Sequence, residues 1–248
     1  MRDLRVVAVD GLPEFTEGMR AGAEVAARAK IADGDVIVIS QKVVSKAEGR
    51  TRRLGEVEPG PEARRIADRS DKDPALVELI LEESQELIRA ESGVIIAETR
   101  HGFICANAGI DSSNLPEEGM VALLPIDPDR SARRIRGEIT EASGAEVAVI
   151  VSDSFGRAWR LGQAEVAIGC AGLTPLDDWR GRADSSGREL AATLIAVADQ
   201  AAAAADLVRD KLSRTPVALV RGLDRFVTAE DGPGAAALRR PAADDLFR

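Results

Sequence analysis

Runs of β-branched and other apolar residues, each bounded by turn formers, recur along the chain. They predict strands at Leu4–Val9, Val36–Ser40, Val94–Ala97, Gly102–Ala106, Val121–Leu124, Glu146–Ser152 and Val217–Val220. Between them, helical spacing of apolar positions predicts helices over Glu17–Ala32, Pro61–Arg69, Pro74–Arg89, Pro128–Ser143 and Glu189–Leu212. Several open on proline or an acidic residue, which a first helical turn accepts. The order is irregular and does not repeat as βαβ, so it points to an α/β or α+β protein rather than a dinucleotide-binding fold. Thr99-Arg100-His101-Gly102 lies between two apolar runs and predicts a hairpin from Val94 to Ala106, with His101 a solvated residue near its turn. The alanine-rich stretch at 199–206 suits close packing, either within the chain or at a subunit interface. No repeat of 20–50 residues is present, and the segment after Glu230 reads as the loosest.

Composition narrows the chemistry. The chain has 248 residues, 45% apolar and 30% charged, enough to bury a sizeable core in one large or two small domains without disulfide support. Its formal charge of −9, no Tyr, five Phe and two Trp make nucleic acid an unsuitable partner. With His101 the only histidine, a His-rich metal site is impossible. Cys105 and Cys170 read as reduced, buried thiols of a cytosolic protein, a single fortuitous disulfide being the alternative. The N-terminus lacks signal-peptide features, and no stretch approaches the roughly 20 apolar residues of a membrane span, so the expected location is cytoplasmic with no membrane partner.

Neither GxxxxGK[ST] nor a strand-linked GxGxxG occurs, so a nucleotide would need another architecture. Three clusters carry candidate chemistry. At the end of Val36–Ser40, Ser40, Gln41, Lys42 and Lys46, followed by Arg50, Arg52 and Arg53, suit an anion, or are simply solvated. After the hairpin, Asp111 and Asn114 offer hard oxygens suited to Mg²⁺ or Mn²⁺, or merely close an Asx-turn. In Ser152-Asp153-Ser154-Phe-Gly-Arg157-Ala-Trp159-Arg160, read as a strand terminus, Asp153 suits a cation while Arg157 and Arg160 suit phosphate or carboxylate. There a helix N-cap at Asp153 is the alternative. Asp184-Ser-Ser-Gly187 reads as a turn before the helix near Glu189.

Five motifs, GLPEF (Gly11–Phe15), SQKVVSKAEGR (Ser40–Arg50), ETRHGFICANAGIDSSN (Glu98–Asn114), SDSFGRAWRLGQ (Ser152–Gln163) and TPVALVRG (Thr215–Gly222), resemble the coenzyme F420-0:L-glutamate ligase family, or γ-glutamyl ligases. The resemblance runs from about Arg5 to Asp244-Asp-Leu-Phe247. It implies an α+β fold of mixed sheets with flanking helices, assembled as an intertwined homodimer. The implied activity joins L-glutamate to the deazaflavin precursor F420-0, and then to F420-1, using GTP, Mn²⁺ or Mg²⁺, and a monovalent cation such as K⁺. Carried over by motif, Leu12, Pro13, Glu14, Phe15, Gln41, Lys46 and Asn114 would contact GTP, with Ser40 beside them. Asp111, Asp153 and Ser154 would hold the metals. Arg157 and Arg160 match the family's Gly-Arg-x-Trp-Arg run, and their anion contact is inferred from charge. The expected route is attack of a precursor carboxylate on the γ-phosphate, then opening of the acyl phosphate by the glutamate amine, with Asp111, Asp153, Arg157 and Arg160 as the catalytic set. Ser154 stands where many members have Thr. Asp210-Lys211 replaces a Gly-Gln of several archaeal members and puts a second metal site in question. Relatives with a nitroreductase-like domain carry it after the Asp-Leu-Phe tail, where this chain stops, so residues 1–248 read as one ligase domain, either a stand-alone ligase or the ligase half of a longer polypeptide. A same-fold ligase for another amino acid or acceptor, and a non-catalytic nucleotide-binding subunit, are the alternatives.

Overall fold

The structure is a computed structural model describing residues 3–91, 93–209, 212 and 214–245. The Asp210-Lys211 departure and the end of the Asp-Leu-Phe tail therefore lie outside the described residues. In chain order the strands are β1 (Arg5–Ala8), β2 (Val36–Ser40), β3 (Thr51–Arg53), β4 (Ser84–Glu91), β5 (Val94–Thr99), β6 (Ile104–Ala106), β7 (Met120–Ala122), β8 (Ala148–Arg157), β9 (Arg160–Ala171), β10 (Leu176–Asp178), β11 (Leu194–Ala196) and β12 (Val217–Arg221). The helices are α1 (Ala21–Ala26), α2 (Gln41–Ala47), α3 (Pro61–Ser70), α4 (Pro74–Glu83), α5 (Pro128–Ser143) and α6 (Val197–Asp206).

The main sheet has the order β1-β12-β2-β8-β9, and only the β2–β8 pair is parallel. Its central strands are apolar on both faces because both are covered. Ile37, Ile39, Val149 and Val151 enter one layer with Ile135 and Ile139 of α5, while Val36, Val38 and Ile150 enter the other with the alanines of α6. Such doubly buried strands read as continuous apolar runs. The small side chains of α6 face inward within the chain, at Ala198, Ala201, Ala202 and Ala205. A third core, built from α3, α4, β5 and the loop after β6, forms beside the sheet β4-β5-β6. This is a mixed α+β architecture.

Local signals set the clearest boundaries. In α5, Asp127 accepts from the Arg130 N–H at 2.9 Å, Pro128 opens the helix, and Gly144 closes it in the left-handed conformation, so the span matches the sequence reading. Other expectations are corrected. Glu17–Ala32 contains only α1, and the helix from Pro74 stops at Glu83 because the chain continues as β4, paired with β5. Residues 189–196 carry no helix: Leu194–Ala196 is β11, and Asp184 closes a turn by accepting from the Ser186 and Arg188 N–H groups. The segment after Glu230 is anchored to α5, with Asp231 paired to Arg136 at 2.9 Å and the Ala235 N–H donating to Asp129 at 2.7 Å. Cys105 and Cys170 are buried and free, which removes the disulfide alternative. His101 does sit in the predicted hairpin turn, but half-buried: its Nε2 lies 2.9 Å from the Pro125 carbonyl and 3.0 Å from that of Ile126. Both are acceptors, so Nε2 carries the ring proton. No helix among the described residues is long and apolar enough to cross a membrane.

Candidate active site

Ser152-Asp153-Ser154 breaks the apolar run of β8 without ending the strand, which continues to Arg157 and pairs with β9. The polar residues are there because the sheet opens at this point onto a cavity of about 910 Å³ at the carboxyl ends of β2 and β8. That is where sheets with parallel strands bind ligands. The N-cap alternative for Asp153 is thereby excluded. Between Val151 and Ser152 the pairing skips Ile168 on the opposite strand, a β-bulge of the kind found beside functional sites.

Two elements bring charge to one side of Asp153. Helix α2 places Lys42 and Lys46 a turn apart, and the loop after β6 supplies Asp111 and Asn114. That loop turns through three consecutive left-handed residues, Asn107, Ala108 and Gly109. At Gly109 (φ +74°) a Cβ would also lie 2.7 Å from the Leu124 side chain, so glycine is required. Asp111 then pairs with Lys42 at 2.8 Å and accepts from the Ser113 N–H at 2.7 Å. Burial pushes the Asp111 carboxyl up, but the hydrogen bonds from Lys42 and Ser113 outweigh it and hold the group below its ordinary value. Lys46 pairs with Glu14 and donates to the Asn114 carbonyl at 2.9 Å.

On the other face of β8, Ser154 Oγ donates to Glu165 Oε1 at 2.7 Å. The second Glu165 oxygen pairs with Arg209 at 2.8 Å, and both side chains are buried. Asp153 lies between these groups and makes no ion pair with any described residue. Burial, then the charges of Glu165 and Asp111, push its carboxyl up to about 7, against smaller opposing effects of the Ser154 N–H and Lys42. Cys105 also lines the cavity, but burial pushes its thiol up to about 12, so it is no thiolate nucleophile at neutral pH.

A family model described as F420-0:γ-glutamyl ligase matches residues 11–222. The chain belongs to that family. It is 50% identical to a coenzyme F420:L-glutamate ligase of Methanothermobacter thermautotrophicus, over 87% of this chain and 85% of that one. It is 45% identical to one of Methanopyrus kandleri, over 90% and 89%. A third, from Methanocaldococcus jannaschii, is 40% identical over 100% and 99%. This F420-0:γ-glutamyl ligase family chain is an enzyme, a ligase.

Of the residues the ligase resemblance implies, Leu12, Pro13, Glu14, Phe15, Ser40, Lys46, Asp111, Asn114, Asp153 and Ser154 all line the one cavity. Three do not. Gln41 is fully buried, bonded to Ser45. The Ser45 hydroxyl lies 2.8 Å from the Gln41 amide and 2.6 Å from the Leu123 carbonyl. The Ser45 hydroxyl, set between Gln41 Oε1 and the Leu123 carbonyl, ties α2 to the segment after β7. Arg157 and Arg160 stand at the tip of the β8–β9 hairpin, where Arg157 donates to the Leu161 carbonyl at 2.6 Å. Sequence reasoning passed over Glu165 and Arg209. The signal available for Glu165 was a lone acid at the head of the apolar run Val166–Ala171, but its partner Ser154 emerges only from the strand register.

Proposed function

We propose that this chain forms an amide between L-glutamate and coenzyme F420-0, and then F420-1, using GTP and an acyl phosphate. The names of its relatives support the two substrates. The observation that carries the rest is Asp153, a half-buried carboxylate on the cavity wall, between the Lys42–Asp111 and Arg209–Glu165 pairs and without a cation of its own among the described residues.

The residues fit a divalent ion. Asp111, Asp153 and the Ser154 hydroxyl are hard oxygen donors, the type Mg²⁺ and Mn²⁺ take. No group of three His, Cys, Asp or Glu placed to hold a metal occurs among the described residues. Water and phosphate oxygens would complete the shell, as is usual for Mg²⁺. A bound ion would supply positive charge beside the transferring phosphoryl group, and K⁺ would add to it.

The chain's own residues hold and orient. The Leu12–Phe15 wall, Ser40, Lys46 and Asn114 would seat the nucleotide. Lys42 and Arg209 would offset negative charge as the F420-0 carboxylate oxygen bonds to the γ-phosphorus and GDP leaves. The glutamate amine then attacks the acyl carbon, loses a proton and expels phosphate. GTP, F420-0 and glutamate all carry negative charge, so positioning and charge compensation dominate, and no His or Cys nucleophile is needed. Arg157 and Arg160 lie outside the cavity lining and take no part in these steps.

The test is incubation of the purified protein with GTP, Mn²⁺, F420-0 and a panel of amino acids. A mass gain of one glutamyl unit with GDP release is expected. No gain with glutamate overturns the reading: gain with another amino acid would favour the same-fold alternative, and none at all the non-catalytic one.

A further inference from the structure

Resting on the cation reading above, we propose that Glu165 is a positioning residue: it takes the proton of the Ser154 hydroxyl and so fixes that oxygen as an acceptor for the ion, with Arg209 as its anchor. The geometry is direct. Ser154 Oγ has one proton, and it is committed to Glu165 Oε1 at 2.7 Å. A carboxylate only accepts, so both lone pairs of the hydroxyl remain available on the cavity wall. An unheld serine hydroxyl rotates and can aim its proton at an arriving cation.

Arg209 keeps Glu165 from swinging away. Its guanidinium pairs with Glu165 at 2.8 Å, reaches Ser152 Oγ at 3.2 and 3.3 Å and the Pro216 carbonyl at 3.4 Å, and is itself buried. Breaking such a buried pair is costly, whereas its net contribution to stability is small. What it supplies here is a fixed direction. Outer-shell carboxylates that orient a ligand in this way typically change metal affinity by 10–100-fold when removed.

The competing account is that Glu165 attracts the ion by charge alone, and a mutant cycle separates the two. Mn²⁺ is titrated into the full chain at saturating GDP, without turnover, and free Mn²⁺ is read by its electron paramagnetic resonance. In Glu165→Gln, Arg209 selects the amide oxygen, so the amide NH₂ faces Ser154 and turns the hydroxyl proton outward. Mn²⁺ binding should weaken about 10–100-fold. Glu165→Asp keeps the charge but shortens the reach, and should weaken it comparably. Ser154→Ala should lose a similar factor, and Ser154→Ala with Glu165→Gln should be no weaker than Ser154→Ala within about twofold. Thermal unfolding of each variant checks the fold, and Glu165→Asp serves if Glu165→Gln does not fold. Independent, multiplying effects, an unaltered Glu165→Gln, or full retention in Glu165→Asp would overturn the positioning role. Failure of the wild type to bind Mn²⁺ would instead overturn the cation reading itself.

Discussion

Asp153 is costly to the fold in its ionised form, and that cost makes it testable. Its ordinary value is 3.8 and the folded value is about 7, so between those pH values the folded state holds more proton than the unfolded chain. Stability of the metal-free protein should therefore fall as pH rises from about 4 to about 7, by a few kcal/mol at about 1.4 per pKa unit, then level off. Urea unfolding across that range should show the slope in the wild type and its loss in Asp153→Asn. The same variant should lose about a hundredfold or more in kcat/KM, about 2.7 kcal/mol of transition-state stabilisation. Asp111 behaves in the opposite sense: its carboxyl is held down in the fold, so its contribution is present above the unfolded value and is lost on acidification below it. Both aspartates were legible in the sequence because each follows an apolar run in a polar, glycine-bearing segment. Glu165 and Arg209 were not, since a pairing between β9 and the end of α6 leaves no local pattern.

The helix capped at both ends and the central apolar strands are legible in the sequence, whereas the stretch after Glu83 is decided by pairing and is not. Asp127, Pro128 and Gly144 bracket α5 in the sequence itself. The amphipathic pattern beyond Glu83 also suits a helix, but pairing with β5 wins and makes Ser84–Glu91 a strand. Likewise the polar stretch of β8 reads as a strand end in the sequence, because a strand that turns polar to line a cavity looks like one that has stopped. The loop after β6 gives a test at this scale. Gly109→Ala must strain a left-handed backbone and push on Leu124, and should cost about 1–3 kcal/mol in denaturant unfolding. It should also raise the KM for GTP, since the loop carries Asp111 and Asn114. Gln41→Met, which keeps the volume but removes the bond to Ser45, should cost about 1–3 kcal/mol by the same assay.

For the molecule as a whole, the β8–β9 hairpin leaves Trp159 81% and Leu161 96% exposed at its tip. In a chain with so few aromatic residues, that pair is a suitable anchor for a second copy. Sedimentation velocity should show a dimer for the wild type, and a monomer for Leu161→Asp or Trp159→Glu.

The skipped residue Ile168 has a reach beyond its own neighbourhood. Were Ile168 paired instead of skipped, Ser154 would face Val166, and Glu165 would fall opposite Phe155. One surplus residue thus acts as a vernier, sliding an acid into line with a hydroxyl across the strand boundary. An unbulged pairing of the same sequence would set valine against serine on the cavity wall, whereas loss of Ile168 itself would keep the acid in line.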